Sequence, residues 1–274
     1  MTKTALIAGQ GGLPVHLLNA LRQSGEDHFV AELDGFPSEV ADADPVRFRV
    51  ERLAPFLDRL ADERVDRVVF AGAIRRPRLE PGLIDPKTVT LLPRLLGAVQ
   101  KGDDALLREV IAIFEDWDFE VVGAEAVAPD LVPGPGLLAG APSEDDRKDA
   151  ARAAEIVAGL APLDLGQGAV VAQGLCLAVE TLPGTDAMLA FVAEHAAGLR
   201  RDPAKARGTF YKAPKSGQDR RIDLPTLGPA TVRAVARAGL AGIAWEAGGV
   251  ICLDRAEMVA EAEAANLFLW ARES

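Results

Sequence analysis

The chain of 274 residues carries 41 acidic against 30 basic side chains, a net charge of −11, with 49% hydrophobic and 26% charged residues. That balance belongs to a globular protein with enough chain for one large core or two modest ones, and it excludes a disordered one. A surface this acidic, with aromatic residues at only 5%, excludes wholesale nucleic-acid binding, which needs a basic face and stacking rings.

Thr4 to Ala8 reads as a buried strand that runs into Gly9-Gln10-Gly11-Gly12. Val15, Leu17, Leu18 and Leu21 then fall at helical spacing, and Gly25 closes that helix. Phe29 to Leu33 is a second strand, and Leu53 to Leu60 an amphipathic helix. Val65 to Ala71 is a third strand, apolar almost throughout, as a parallel strand covered on both faces should be. Helices follow over 89–99 and 105–116, then a fourth strand from Phe119 to Val122. Strands alternating with helices predict a parallel sheet, hence a Rossmann-like N-terminal α/β domain over residues 1–130. Residues 131–146 concentrate proline and glycine and read as a linker or one long loop.

A C-terminal α/β domain is expected over 147–274. Its elements are a helix with an acidic start over 144–160, a hairpin of strands 169–172 and 176–179, and a helix over 185–197. An irregular basic stretch spans 200–223. A helix over 230–238, strands over 242–245 and 249–253, and a terminal helix over 255–272 complete it. Cys176 and Cys252 lie in apolar runs and read as buried, reduced thiols. The N-terminus lacks the pattern of a signal peptide, and no apolar run reaches the ~20 residues of a membrane span, so a cytoplasmic protein is expected.

Four features can carry chemistry. Gly9 to Gly12 sit where a strand meets a helix N-terminus, a place for a phosphate or simply a tight turn. The spacing is not that of a dinucleotide fingerprint, and Asp34 is the one further support for a dinucleotide-dependent oxidoreductase. Arg75 and Arg76 follow the third strand at the same sheet edge, as anion ligands or as solvated arginines. Asp103 or Asp104 fits a helix N-cap better than a metal ligand. Ahead of Asp223, the stretch from Arg200 holds eight basic residues against Asp202 and Asp219, a local net charge of +6 in an acidic chain. It reads as an anion site or a solvated basic loop. Glu180, Asp186, Asp219 and Asp223 lie near it in sequence, and oxygen donors beside phosphate-binding lysines suit Mg²⁺. His16, His28 and His195 are scattered and read as surface or packing residues. Together these features describe a two-domain protein for a phosphorylated ligand.

The wording of the motifs goes further. LIAGQGGLP at 6–14, GAIRRP at 72–77, GDD at 102–104 and DLGQG at 164–168 resemble the LpxI-type UDP-2,3-diacylglucosamine pyrophosphatases of lipid A biosynthesis. So do AVETLPGTDAML at 178–189, KAPKSGQDRRIDLPTLG at 212–228 and AGLAGIAWEAGGVI at 238–251. The resemblance spans nearly the whole chain. It implies Mg²⁺-dependent hydrolysis of UDP-2,3-diacylglucosamine to UMP and 2,3-diacylglucosamine 1-phosphate, by a cytoplasmic homodimer that meets its lipid substrate transiently at the inner membrane. Within the matching motifs, Lys212, Lys215 and Arg220 are suited to neutralise phosphoryl charge. Asp223 is the first choice for metal ligand or water-orienting carboxylate, with Asp186 and Glu180 next, while Asp219 is a ligand or a partner that orients a lysine. Gly9, Gln10, Gly11, Gly12, Arg75, Thr185 and Gln218 are the expected substrate contacts. A non-catalytic nucleotide-sugar-binding protein is the rival reading.

Overall fold

The computed structural model describes residues 2–74, 77–200 and 207–273. Arg75, Arg76, Arg201 and Lys205 lie outside the described residues. The chain divides into two compact units, Met1–Pro129 with Asp219–Ile222, and Asp130–Gln218 with Asp223–Ser274.

The first unit runs β1 (Lys3–Ala8), α1 (Leu13–Ser24), β2 (Asp27–Leu33), β3 (Val46–Phe48), α2 (Leu53–Asp62), β4 (Arg67–Ala71), α3 (Leu92–Val99), α4 (Asp103–Glu115), β5 (Glu120–Val122) and α5 (Ala124–Val127). The strands form one sheet in the order β3-β2-β1-β4-β5, every pairing parallel. This is the doubly wound arrangement the alternation predicted, and its strand order reverses between β1 and β4. Ala5, Ile7, Phe29, Val68 and Val121 join Phe56, Leu57 and Phe114 from the helices in its core. The acidic start of α4 differs by one position from expectation. Gly102 is the N-cap and Asp103 opens the first turn, where its charge still favours the helix dipole.

The second unit runs β6 (Gly136–Ala139), α6 (Glu144–Leu160), β7 (Gly168–Ala172), β8 (Leu175–Val179), α7 (Gly184–His195), β9 (Thr209–Lys212), β10 (Thr226–Leu227), α8 (Pro229–Arg237), β11 (Gly242–Glu246), β12 (Ile251–Cys252), α9 (Arg255–Ala264) and β13 (Phe268–Arg272). Six strands form a mixed sheet, β6-β13-β11-β9-β7-β8, and β10 pairs with β12 separately. Alternate residues of β9 and β11 serve opposite faces. Phe210 and Ile243 pack with α7, α8 and α9, whereas Tyr211 and Ala244 pack with α6.

Several expectations need correction here. The stretch expected as a linker holds β6, an antiparallel partner of β13, and the start of α6. Ser143 and Asp146 cap each other across that helix start. The segment read as an irregular basic loop contains β9, which lies between β7 and β11. The expected terminal helix stops at Ala264. Asn266 turns to a positive φ of 51°, and the chain continues as β13. Cys252 is buried as expected, but Cys176 is exposed, because β8 is an edge strand.

The β7–β8 hairpin turns through Gln173 and Gly174, both at positive φ, as a two-residue turn of this twist requires. Asp149 of α6 accepts from both their amides, Gln173 N at 3.0 Å and Gly174 N at 2.8 Å. The carboxyl is buried, and that burial pushes its pKa up. Asp149→Ala leaves two amides without their acceptor and is expected to cost about 2–3 kcal/mol, read as a lowered Tm. A raised native pKa means that the stability this group contributes is greatest below its ordinary value of 3.8 and fades as pH rises through the native pKa. The deficit of Asp149→Asn relative to the parent should therefore shrink from pH 4 upward, in thermal melts taken across that range.

Candidate active site

In the first unit the glycine turn and the residues after β4 are bound back to back. Gly9 N donates to Ala71 O at 2.7 Å, and Gln10 and Ala73 exchange amide–carbonyl bonds at 3.0 and 2.9 Å. A Cβ on Gly9 would stand 2.8 Å from Ala73 O, and one on Gly72 2.6 Å from Gln10 O. These glycines are therefore required by a close backbone crossing at the carboxyl ends of β1 and β4. That modifies the expectation for substrate contact, because the Gly9 and Gln10 amides are spent on the fold. Gly11, Gly12 and the exposed Gln10 side chain remain at the N-terminus of α1, where Gly12 is the N-cap without a side-chain bond. Arg75 lies outside the described residues. Asp34, the support for a dinucleotide cofactor, accepts from Arg49 at 3.0 Å.

Among the described residues, the arginines of the basic segment do not gather into one anion patch. The Arg200 guanidinium donates to Gly239 O at 2.7 Å and to Ala238 O, closing the C-terminus of α8. Arg207 donates to Asn266 O. Arg221 is held by Asp219 and Glu115, both at 2.7 Å. Asp219 therefore spends its oxygens on Arg221, which lowers its pKa. Asp219 and Arg220 fall in the short segment that packs with the first unit. Arg220 is exposed.

The remaining predicted residues lie in the second unit, most of them in two hydrogen-bonded groups. Lys212 ends β9 and is only 6% exposed. Its Nζ donates to Thr185 Oγ1 at 2.7 Å and to Thr226 O at 3.4 Å, and stands 4.0 Å from Glu180 Oε2. Thr185, read from sequence as a cap, lies in the first turn of α7, and Pro183 is the N-cap. Burial pushes the Lys212 ammonium toward its neutral form, and Glu180 and Asp186 pull it back. Glu180 follows β8 and donates its amide to Gly168 O at 2.8 Å. Gly168 in turn pairs with Lys212 across the sheet. A Cβ on Gly168 would meet Glu180 Oε2 at 2.8 Å, so this glycine leaves the carboxylate its place beside Lys212.

Lys215 reaches Asp164 Oδ1 at 2.6 Å. Gln218 accepts from Lys215 N at 2.9 Å and donates to both the carbonyl and the carboxylate of Asp223. Gln167 donates to Gln218 at 2.9 Å. Gln167 and Asp164 were not among the residues expected from sequence. Their signal was the DLGQG motif, which served only to mark the resemblance.

A buried ammonium at the positive end of a helix attracts an anion, and two carboxylates set its limits. Glu180 Oε2 is buried without a hydrogen-bond partner. Among the described residues no three His, Cys, Asp or Glu side chains converge into a metal-holding group. The four carboxylates expected as ligands are therefore not a ready-made cage. The donors still fit Mg²⁺, which takes one or two carboxylates and completes its shell with phosphate and water.

Comparison with known proteins covers both units. Residues 3–131 match the LpxI N-terminal domain and residues 134–270 the LpxI C-terminal domain. A Caulobacter vibrioides protein described as UDP-2,3-diacylglucosamine pyrophosphatase LpxI is 39% identical over 271 residues, covering 98% of this chain and 97% of its own length. With both domain types matched in order and a relative aligned nearly end to end, the chain belongs to the LpxI family.

Proposed function

We propose that the chain hydrolyses the pyrophosphate bond of UDP-2,3-diacylglucosamine, giving UMP and 2,3-diacylglucosamine 1-phosphate. The observation that carries this is the buried Lys212 ammonium, set against Thr185 and the start of α7 with Glu180 4.0 Å away. Together with the relative's description, it supports a site that takes phosphoryl oxygens. Water adds across the P–O–P bond: one phosphorus takes the hydroxyl, and the other leaves on the bridging oxygen, which takes the water's remaining proton. Lys212 neutralises the phosphoryl charge, joined by Lys215 once it exchanges Asp164 for the ligand, and Thr185 holds the Lys212 ammonium in place. Asp223 orients the attacking water. Asp223 is also the first carboxylate that would hold Mg²⁺, with Asp186 and Glu180 as the alternatives. When bound, the ion supplies further neutralisation of phosphoryl charge.

We assign the enzyme to the cytoplasm as a homodimer. Its net charge of −11 supports transient contact with the inner membrane rather than electrostatic anchoring. The test is incubation with UDP-2,3-diacylglucosamine, with and without Mg²⁺, followed by product identification. UMP and the lipid phosphate are expected only with Mg²⁺. Binding without release of UMP would instead identify a nucleotide-sugar-binding protein and overturn the reading.

A further inference from the structure

Gln218 has no polar capacity left over for a substrate. Its Oε1 accepts from Lys215 N and from Gln167 Nε2, both at 2.9 Å. Its Nε2 donates to Asp223 O at 2.6 Å and to Asp223 Oδ2. An amide offers two acceptor sites and two donor hydrogens, and all four are engaged. A flipped amide would set an NH₂ against Lys215 N–H and an oxygen against the Asp223 carboxylate, so its orientation is fixed.

Gln167, the next member, is anchored by its backbone. Its carbonyl accepts from Ala213 N at 2.9 Å. Gly166 before it has φ +49°, and a Cβ there would lie 1.9 Å from Glu180 O. Gly168 after it begins β7 and pairs with Lys212. The side chain of Gln167 therefore starts from a rigid part of the sheet, whereas Asp223 lies outside any strand or helix.

We propose that Gln167 and Gln218 form an amide relay that holds the Asp223 carboxylate in place, making both positioning residues rather than substrate contacts. The inference rests on the assignment of Asp223 to the reaction under the proposed function. A loop carboxylate left to itself samples several rotamers. One tied through two amides to the start of β7, an interior strand, is held in a single orientation, which is what water alignment requires.

The test compares Gln167→Ala, Gln167→Glu and Asp223→Ala in the full-length protein, using UMP release from UDP-2,3-diacylglucosamine. Gln167→Glu keeps the size of the side chain but cannot donate to Gln218 Oε1, so it serves if Gln167→Ala folds poorly. Both Gln167 variants are expected to lower kcat by about tenfold, with KM unchanged to about twofold. Adding Gln167→Ala to Asp223→Ala should change the residual rate no further. A normal kcat in both Gln167 variants beside an inactive Asp223→Ala overturns the relay and leaves the function standing. An equal fall in kcat and Tm, with KM raised, shows a structural role and overturns it too. Full activity in Asp223→Ala overturns the assignment of Asp223 and the relay with it. A readout independent of turnover is the Gln218 side-chain amide resonance in NMR spectra. It should be shifted and protected in the parent and lose both properties in Gln167→Ala; identical spectra overturn the relay even if no substrate is turned over.

Discussion

Asp223→Ala is expected to lower kcat by about 10²–10⁴-fold while leaving substrate affinity and Tm close to those of the parent. The expectation separates two roles that one residue plays. The Asp223 main-chain carbonyl accepts from Gln218 at 2.6 Å, and that bond survives the substitution. The loop after Lys215 should therefore keep its path, and Lys212, the proposed anion contact, belongs to β9. What is lost is the carboxylate, and with it the group that can orient or activate water. Binding can be measured by calorimetry with the substrate, and turnover by UMP release. Near-normal turnover would move the water-orienting role to Glu180 or Asp186. Loss of affinity as large as the loss of rate would mean that Asp223 acts on the ground state, through metal or loop order.

The parts of this molecule legible in the sequence are those where one physical signal dominates. β1 and β4 are apolar runs because both sheet faces are covered, and α6 announces itself through its acidic first turn. β9 was hidden, because Thr209 to Lys212 sit in a charged stretch and the strand ends on a buried lysine. β13 was hidden because nothing in Phe268 to Arg272 contradicts a continuing helix. The break is made by the backbone of Asn266, whose amide closes back on Glu263.

The site shows the same division. Lys212, Thr185, Glu180 and Asp223 stand out by residue type and motif. Charge counting could not distinguish Arg200, consumed by a helix end, or Arg221, consumed by Asp219, from a cation that faces a ligand. Gln167 was missed because a neutral amide leaves no mark on charge or hydropathy. Only the position of Gln218 gives it meaning.

Lys212→Met should separate what the buried ammonium does for the ligand from what it does for Glu180. Affinity for the diphosphate substrate is expected to fall by about 10²-fold, the loss of one charge-assisted contact in a buried setting. Stability should fall as well, by about 2–3 kcal/mol, because Glu180 is then buried without its counter-charge. The value lies at the low end for a broken buried pair, since the two groups stand 4.0 Å apart. Adding Glu180→Gln removes the stranded charge. The double variant should recover most of the lost Tm, as a neutral pair can replace a buried ionic one at little cost. It should not recover affinity, because the phosphoryl oxygens would still face no ammonium. Thermal melts and calorimetry on the parent, both single variants and the double variant separate the two effects. If the double variant binds like the parent, Lys212 serves only to neutralise Glu180. If Lys212→Met alone is as stable as the parent, Glu180 is not held as an ion by Lys212, and the electrostatic argument for the anion site loses one of its two supports, leaving only the N-terminus of α7.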